Sequence, residues 1–343
     1  MSSNLILGLS ILFALLPVFV WSYIFFDTPK DKNRGLYFKI FLGGTLTVLP
    51  VLFIQYAYLK IIGQFPSLDF VSALYASVGV AGWIAIKYSF VALIEEVIKF
   101  YIVLFSDKNY PELITNISQA LKFGILAGLG FAFSENILYF SNNWSSLETS
   151  GLISLILFRS VFTVCAHICF SGIFSYFYGI SKFSKDFIEF KKWTGQTIST
   201  NEYQKFRNKQ IAIGFTLSIF FHGAFNSILE VGTILGPPTF NLFGKAITFN
   251  IYIVGVVLLV AGMFLTLQTL LSKNTGNLVF ILADRYKSTM SKKDEDVILE
   301  LMGIWYNQGR YEEVKSICER LLKRDPDNNV VKIFQAKIQD KLL

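Results

Sequence analysis

Apolar residues run through this chain in blocks long enough to cross a lipid bilayer. A hydrocarbon core takes roughly 20 helical residues, and runs of that size cover 5–26, 36–59, 119–141, 150–180, 210–234 and 246–271. The stretch 69–105 is also apolar but interrupted, and reads either as one long crossing with an interfacial start or as two short ones. Charge gathers elsewhere, in 27–39, 181–209 and 273–343. This block pattern predicts an all-α, polytopic transmembrane helical bundle over 1–272. Residues 273–343 then form a small soluble helical tail.

Loop charge fixes the order of the crossings, because loops rich in Lys and Arg stay in the cytoplasm. Lys182, Lys185, Lys191, Lys192, Lys205, Arg207 and Lys209 mark one such loop, and Lys30, Lys32 and Arg34 another. The 142–149 loop has Glu148 and no basic residue, and 235–244 has no charge. These sides alternate only if 69–105 crosses once. The expectation is about seven spans in the cell membrane, with the N-terminus outside and the tail cytoplasmic. Met1-Ser2-Ser3-Asn4 lacks the basic start of a cleaved signal, so the first run is expected to stay as a span.

Composition supports this and narrows the partners. Hydrophobic residues make up 53% and charged ones 16%, against about a quarter charged in ordinary domains. The net charge of +7 lies mainly in loops beside apolar runs. That is the positive-inside bias, not a nucleic-acid surface. Three cysteines are too few for a disulfide framework.

The chemistry lies in what interrupts the spans. Glu95, Glu96, Lys99, Glu135, Arg159, His167 and His222 all fall inside them, and these are the only two histidines of the chain. Each charge at mid-membrane costs about 2.5–3.5 kcal/mol on insertion scales, so several together should face one another or a wet cavity. Counted from the inner ends, Glu95 is about 10 residues deep, His222 about 12, His167 about 13 and Glu135 about 16; at ~1.5 Å per residue they share one level within roughly 10 Å.

Their faces agree as well. Ser160, Thr163, Ser171 and Tyr178 align with His167, while Ser218, Asn226 and Thr233 align with His222. Glu135 shares a face with Gly124 and Gly128, a spacing that lets another helix approach closely.

Each feature also has a plainer reading. Glu95 and Lys99 are spaced as an i,i+4 ion pair, but that leaves Glu96 unexplained. Two adjacent carboxylates repel, which suits acid/base work. One is then held by Lys99 and the other acts on water; the sequence does not say which. Glu135, or a lone membrane histidine, can serve only as a helix–helix hydrogen bond. Cys165 and Cys169 share a face that His167 does not, so they read as packing. Arg159 falls about 80° off the His167 face on an ideal helix; it either pairs with a carboxylate or snorkels outward, and reads as structural. Asn226, one turn from His222, is placed to orient a water or a carbonyl.

Together, Glu95-Glu96-x-x-Lys99, then Gly128-Leu-Gly-Phe-Ala-Phe-Ser-Glu135-Asn136-Ile-Leu-Tyr139, then Arg159 with His167 and Gly172, then His222-Gly-Ala-Phe-Asn226 resemble the PrsW family of intramembrane proteases. The match covers about 70–234. A more distant similarity is to the CAAX-protease and bacteriocin-processing group. The resemblance implies hydrolysis of a membrane-protein substrate, such as a membrane-bound anti-sigma factor. It carries Glu95, Glu96, Glu135, His167 and His222 over as the catalytic set, with Lys99, Asn136 and Asn226 supporting. Some relatives have an acidic residue where Asn226 stands. The HExxH, GxSG and GxGD signatures of other intramembrane proteases are absent.

Two mechanisms fit these residues. In one, His167, His222 and one of Glu95, Glu96 or Glu135 hold zinc while a second Glu is the base. In the other, no metal takes part: a Glu activates water, and His and Asn stabilise the oxyanion. Buried Glu, Lys and His also build ion- or proton-coupled transporters, and a non-catalytic scaffold presenting the tail is a further alternative.

In the tail, Trp305-Tyr-Asn-Gln-Gly309-Arg-Tyr311-Glu-Glu-Val and Leu321-Leu-Lys-Arg-Asp-Pro326-Asp-Asn resemble a tetratricopeptide repeat. About one and a half repeats are too few to bury their own faces. The tail is therefore expected to dock on a neighbour, with a simple helical hairpin as the alternative.

Overall fold

The structure, a computed structural model, describes residues 2–26, 34–110, 114, 117–184, 200–242, 245–248, 250–272 and 292–342. In the first 272 residues the helices are α1 (Ser3–Phe26), α2 (Arg34–Leu46), α3 (Val48–Gln64), α4 (Phe70–Asn109), α5 (Ile117–Asn143), α6 (Thr149–Phe158), α7 (Val164–Lys182), α8 (Thr200–Leu235) and α9 (Ile251–Ser272). Six segments among the described residues are long and apolar enough to cross a bilayer: Ser3–Phe25, Gly35–Gln64, Ile117–Asn143, Thr149–Lys182, Gln204–Leu235 and Ile251–Thr269. Lys87, Glu95, Glu96 and Lys99 interrupt the apolar run of the remaining long helix, α4. The protein is a multi-pass, helical membrane protein.

Several boundaries differ from the apolar runs. The stretch 69–105 lies in α4, two helical stretches that meet at a kink at Gly79, which has φ 70° and ψ 177°, a conformation that favours glycine. The run 36–59 breaks at Thr47, between α2 and α3. Pro50 lies in the first turn of α3, where its missing N–H is tolerated, and Thr47 Oγ1 donates to the Gly44 carbonyl at 2.5 Å. The last span starts at Ile251 rather than 246, because Thr239–Leu242 (β1) and Lys245–Thr248 (β2) pair as an antiparallel hairpin.

The centre of the bundle is α5. It is buried along most of its length, from Ile117 to Phe140, with α7 on one side and α2 on the other. A Cβ at Gly128 would lie 2.5 Å from the His167 carbonyl oxygen, so glycine allows the α5–α7 contact. The core around it contains Leu129, Ile168, Phe170, Phe225 and Val260, with both Cys165 and Cys169. The cysteines are free thiols packed in that core. By contrast α1 and α3 expose Leu12, Phe19, Phe53 and Tyr56, an outer surface suited to lipid.

An irregularity joins α6 to α7. Arg159–Thr163 form a π-helical turn, which inserts an extra residue into the helical register. The Ser160 carbonyl in this turn accepts from Trp21 Nε1 at 3.1 Å.

The tail is built from α10 (Lys292–Asn307), α11 (Tyr311–Arg324) and α12 (Asn329–Leu342). Gly309, at φ 75°, ends α10: its N–H bonds the Tyr306 carbonyl at 3.1 Å, and the Arg310 N–H bonds that of Trp305 at 2.9 Å. This pair of bonds is a Schellman cap. Met302, Trp305, Val314, Cys318 and Val331 form a core of the tail's own, and Asn328 Oδ1 caps α12 through the Val331 N–H at 3.2 Å.

Candidate active site

Four helical segments bring the ionisable residues together. α4 supplies Glu95, Glu96 and Lys99. α5 supplies Glu135 and Asn136. The π turn and α7 supply Arg159 and His167, and α8 supplies Ser218, His222 and Asn226.

Adjacent positions on a helix point about 100° apart, and this separates Glu95 from Glu96. Glu96 faces inward, where Lys99 Nζ binds its Oε1. His222 Nδ1 is 2.8 Å from the same oxygen, and Ser218 Oγ donates to Oε2 at 3.0 Å. Lys99 therefore pairs with Glu96, not with Glu95 as the i,i+4 spacing suggested. Lys99 Nζ also lies 3.3 Å from His167 Nδ1 and 4.7 Å over the Phe131 ring.

Glu95 faces a cavity of about 660 Å³, whose wall also includes Glu135, Arg159, His167 and Asn226. Its Oε2 meets no hydrogen-bond donor among the described residues. His222 Nε2 is 3.5 Å away.

On the opposite wall, Glu135 Oε2 takes a 2.6 Å bond from Arg159 Nη2 and lies 2.9 Å from His167 Nε2. Arg159 Nε donates to Asn136 Oδ1 at 2.8 Å, and its guanidinium lies 3.6 Å over the Tyr139 ring. Reading Arg159 as lying off the site face assumes an unbroken α-helix. The π turn breaks that count and brings the guanidinium to the cavity. Ser218 is the other participant not singled out by sequence; its position on the His222 stripe was the available signal.

The donor set suits a metal ion. Glu95, His167 and His222 each offer a buried ligand atom, all within 4.8 Å of one another. Two ligands about 2.0–2.1 Å from a tetrahedral zinc stand roughly 3.3 Å apart, close to the Glu95–His222 separation. Glu96 on Nδ1 leaves His222 Nε2 for the metal, the usual carboxylate–histidine support of a ligating imidazole. Charge agrees: among the described residues, the three carboxylates of the cluster face two fixed cations, Lys99 and Arg159. With neutral histidines, the cluster lacks a positive charge that a cation would supply.

Fold and site together define a class, a multi-pass membrane protein with acid–base and metal-ligating groups enclosed among its helices. A family model described as PrsW family intramembrane metalloprotease matches residues 32–265, and the chain belongs to that family. It is similar to Protease PrsW of Oceanobacillus iheyensis, with 29% identity over 209 residues, covering 61% of this chain and 77% of the relative. It is also similar to Protease PrsW of Geobacillus kaustophilus, with 27% identity over 203 residues, covering 59% and 71%. No solved structure matches the chain. Membership decides between protease, transporter and scaffold: this is an intramembrane protease, acting on membrane proteins within the lipid bilayer.

Proposed function

We propose that the protein hydrolyses a peptide bond in the cavity faced by Glu95 and Glu135, using zinc held by Glu95, His167 and His222. The observation that carries this is the buried Glu95 Oε2, without a donor among the described residues and 3.5 Å from His222 Nε2. When bound, zinc would polarise the scissile carbonyl and acidify a water.

The chain's own groups do the rest. Glu96, held by Lys99 and Ser218, fixes the tautomer and orientation of His222. Arg159 binds Glu135 on Oε2, leaving Oε1 to accept a proton from water and pass it to the leaving amine. His167 Nε2, 2.9 Å from the same Oε2, would give up that contact when it holds the metal, since its Nδ1 faces Lys99. Arg159 and Asn226 face the cavity where the carbonyl oxygen gains negative charge. The supporting set is then Lys99, Asn136, Asn226, Arg159 and Ser218.

Topology completes the reading. The basic 181–209 loop puts the tail in the cytoplasm and the N-terminus outside. The cavity reaches Asn142, Asn143 and Thr233, beside the two loops without basic residues, so the substrate approaches from the outer side. A membrane-bound regulator such as an anti-sigma factor fits that approach. The tetratricopeptide-like tail docks a protein partner.

Metal analysis of the purified enzyme, paired with cleavage of a membrane substrate, tests this. Wild type should carry about one zinc per chain, and Glu95→Ala, His167→Ala and His222→Ala should each lose both zinc and cleavage. Full zinc and full cleavage in all three variants would sink the proposal.

A further inference from the structure

Above the reaction centre, α8 continues its polar stripe. Asn226 lies one turn beyond His222 and Glu230 one turn further, and both line the cavity. Glu230 is an acidic group of the wall that takes no part in the Glu–His–Arg cluster below it. From the facing helix, Lys87 Nζ approaches Glu230 Oε1 at 3.8 Å. Lys87 itself lies over the rings of Trp83 and Tyr88, at 5.0 and 4.9 Å.

This pair differs in kind from the ion pairs of the centre. Lys99 and Glu96 are sealed from solvent, at 1% and 2% side-chain exposure, whereas Lys87 and Glu230 stand at 35% and 31%. A long, half-open ion pair is weakly held, so a cation arriving through the cavity can displace Lys87. The aromatic faces beside Lys87 give its ammonium a second resting place.

We propose that Glu230 is a specificity-determining residue that receives a basic side chain of the substrate, Lys or Arg. Two helical turns separate it from His222, about 11–12 Å. An extended substrate covers that in three to four residues, so the basic residue lies about that far from the scissile bond. The proposal rests on the reading of Glu95, His167 and His222 as the reaction centre.

The test uses single-span membrane substrates, reconstituted with the purified full-length enzyme in liposomes, that carry Lys, Gln or Glu three, four or five residues from the cleaved bond. The readout is the ratio of kcat/KM between the Lys and Glu substrates within each enzyme. A purely structural bridge between α4 and α8 changes all substrates together and leaves that ratio alone. Wild type should favour the Lys substrate by about tenfold at one of these positions, through charge complementarity with Glu230. Glu230→Gln should bring the ratio near one, Glu230→Lys should invert it, and Lys87→Gln should raise it by removing the competing cation. A wild-type ratio of one, an unchanged preference in Glu230→Lys, or loss of cleavage of every substrate in both Glu230 variants would each overturn the proposal. Glu95→Ala run beside them reports on the centre: if it still cleaves, the reading of the centre fails, while the charge preference is read from the Glu230 variants.

Discussion

Glu95 and Glu96 are neighbours in the chain with opposite surroundings. Glu96 is saturated by Lys99, Ser218 and His222, whereas Glu95 Oε2 faces His222 Nε2 with no donor among the described residues. Similar carboxylates one residue apart should therefore fail in different ways. Glu95→Gln should remove a ligand, abolishing zinc binding and cleavage while leaving the bundle folded. Glu96→Gln should cost about 3–5 kcal/mol of stability, because Lys99 is left in a sealed site without its partner. Metal content, cleavage rate and thermal unfolding in detergent, measured side by side, separate the two. Equal losses on all three would contradict this division.

Arg159 holds Glu135 and Asn136 at once through different nitrogens of its guanidinium. Lysine offers a single ammonium and cannot reproduce that fork. Arg159→Lys should lower kcat by about 10–100-fold with zinc retained. If zinc is lost together with activity, Arg159 supports the ligands and not the base.

Chelation should stop cleavage, and added zinc should restore it. Binding to the folded state alone adds about 4 kcal/mol at a thousandfold excess over Kd, so the unfolding midpoint should rise with zinc in wild type and stay flat in His222→Ala. A midpoint that ignores zinc in wild type would count against the ligand set.

At the α5–α7 crossing, Gly128→Ala puts a methyl 2.5 Å from the His167 carbonyl oxygen. The helices must then separate, costing about 1–3 kcal/mol and shifting His167 from Glu135. Cleavage should fall more than the unfolding midpoint does. An enzyme with full activity would show that the contact tolerates a larger spacing.

In the tail, burial pushes the Cys318 thiol up to about 12. Its neutral form is thus favoured by folding. That contribution is complete below the ordinary thiol range, about 8.5, and is lost as pH rises through about 12. At pH 8 alkylation of Cys318 should be at least about a hundredfold slower than in an unfolded peptide of the same sequence. Site-resolved mass spectrometry checks this, and equal rates would refute it.

Much of the bundle was legible because membrane helices are written as apolar length, and the buried groups stood out because charge is rare there. The same one-dimensional signal hides local departures from the ideal helix. Gly79 bends α4 through a single torsion that hydropathy does not register. The break at Thr47 and the hairpin before α9 fall within or beside apolar runs that look continuous. Arg159 was the most instructive case, because one π turn between it and His167 invalidates face counting. The division of labour between Glu95 and Glu96 depended on which helices pack against α4, information held by residues more than a hundred positions away.

His222 arrives last of the proposed ligands, on α8, long after α4 has been synthesised. During translation the growing chain therefore holds Glu95 and His167 without the third proposed ligand. On this ligand set, activity begins only when α8 joins the bundle, so the order of synthesis serves as a built-in delay.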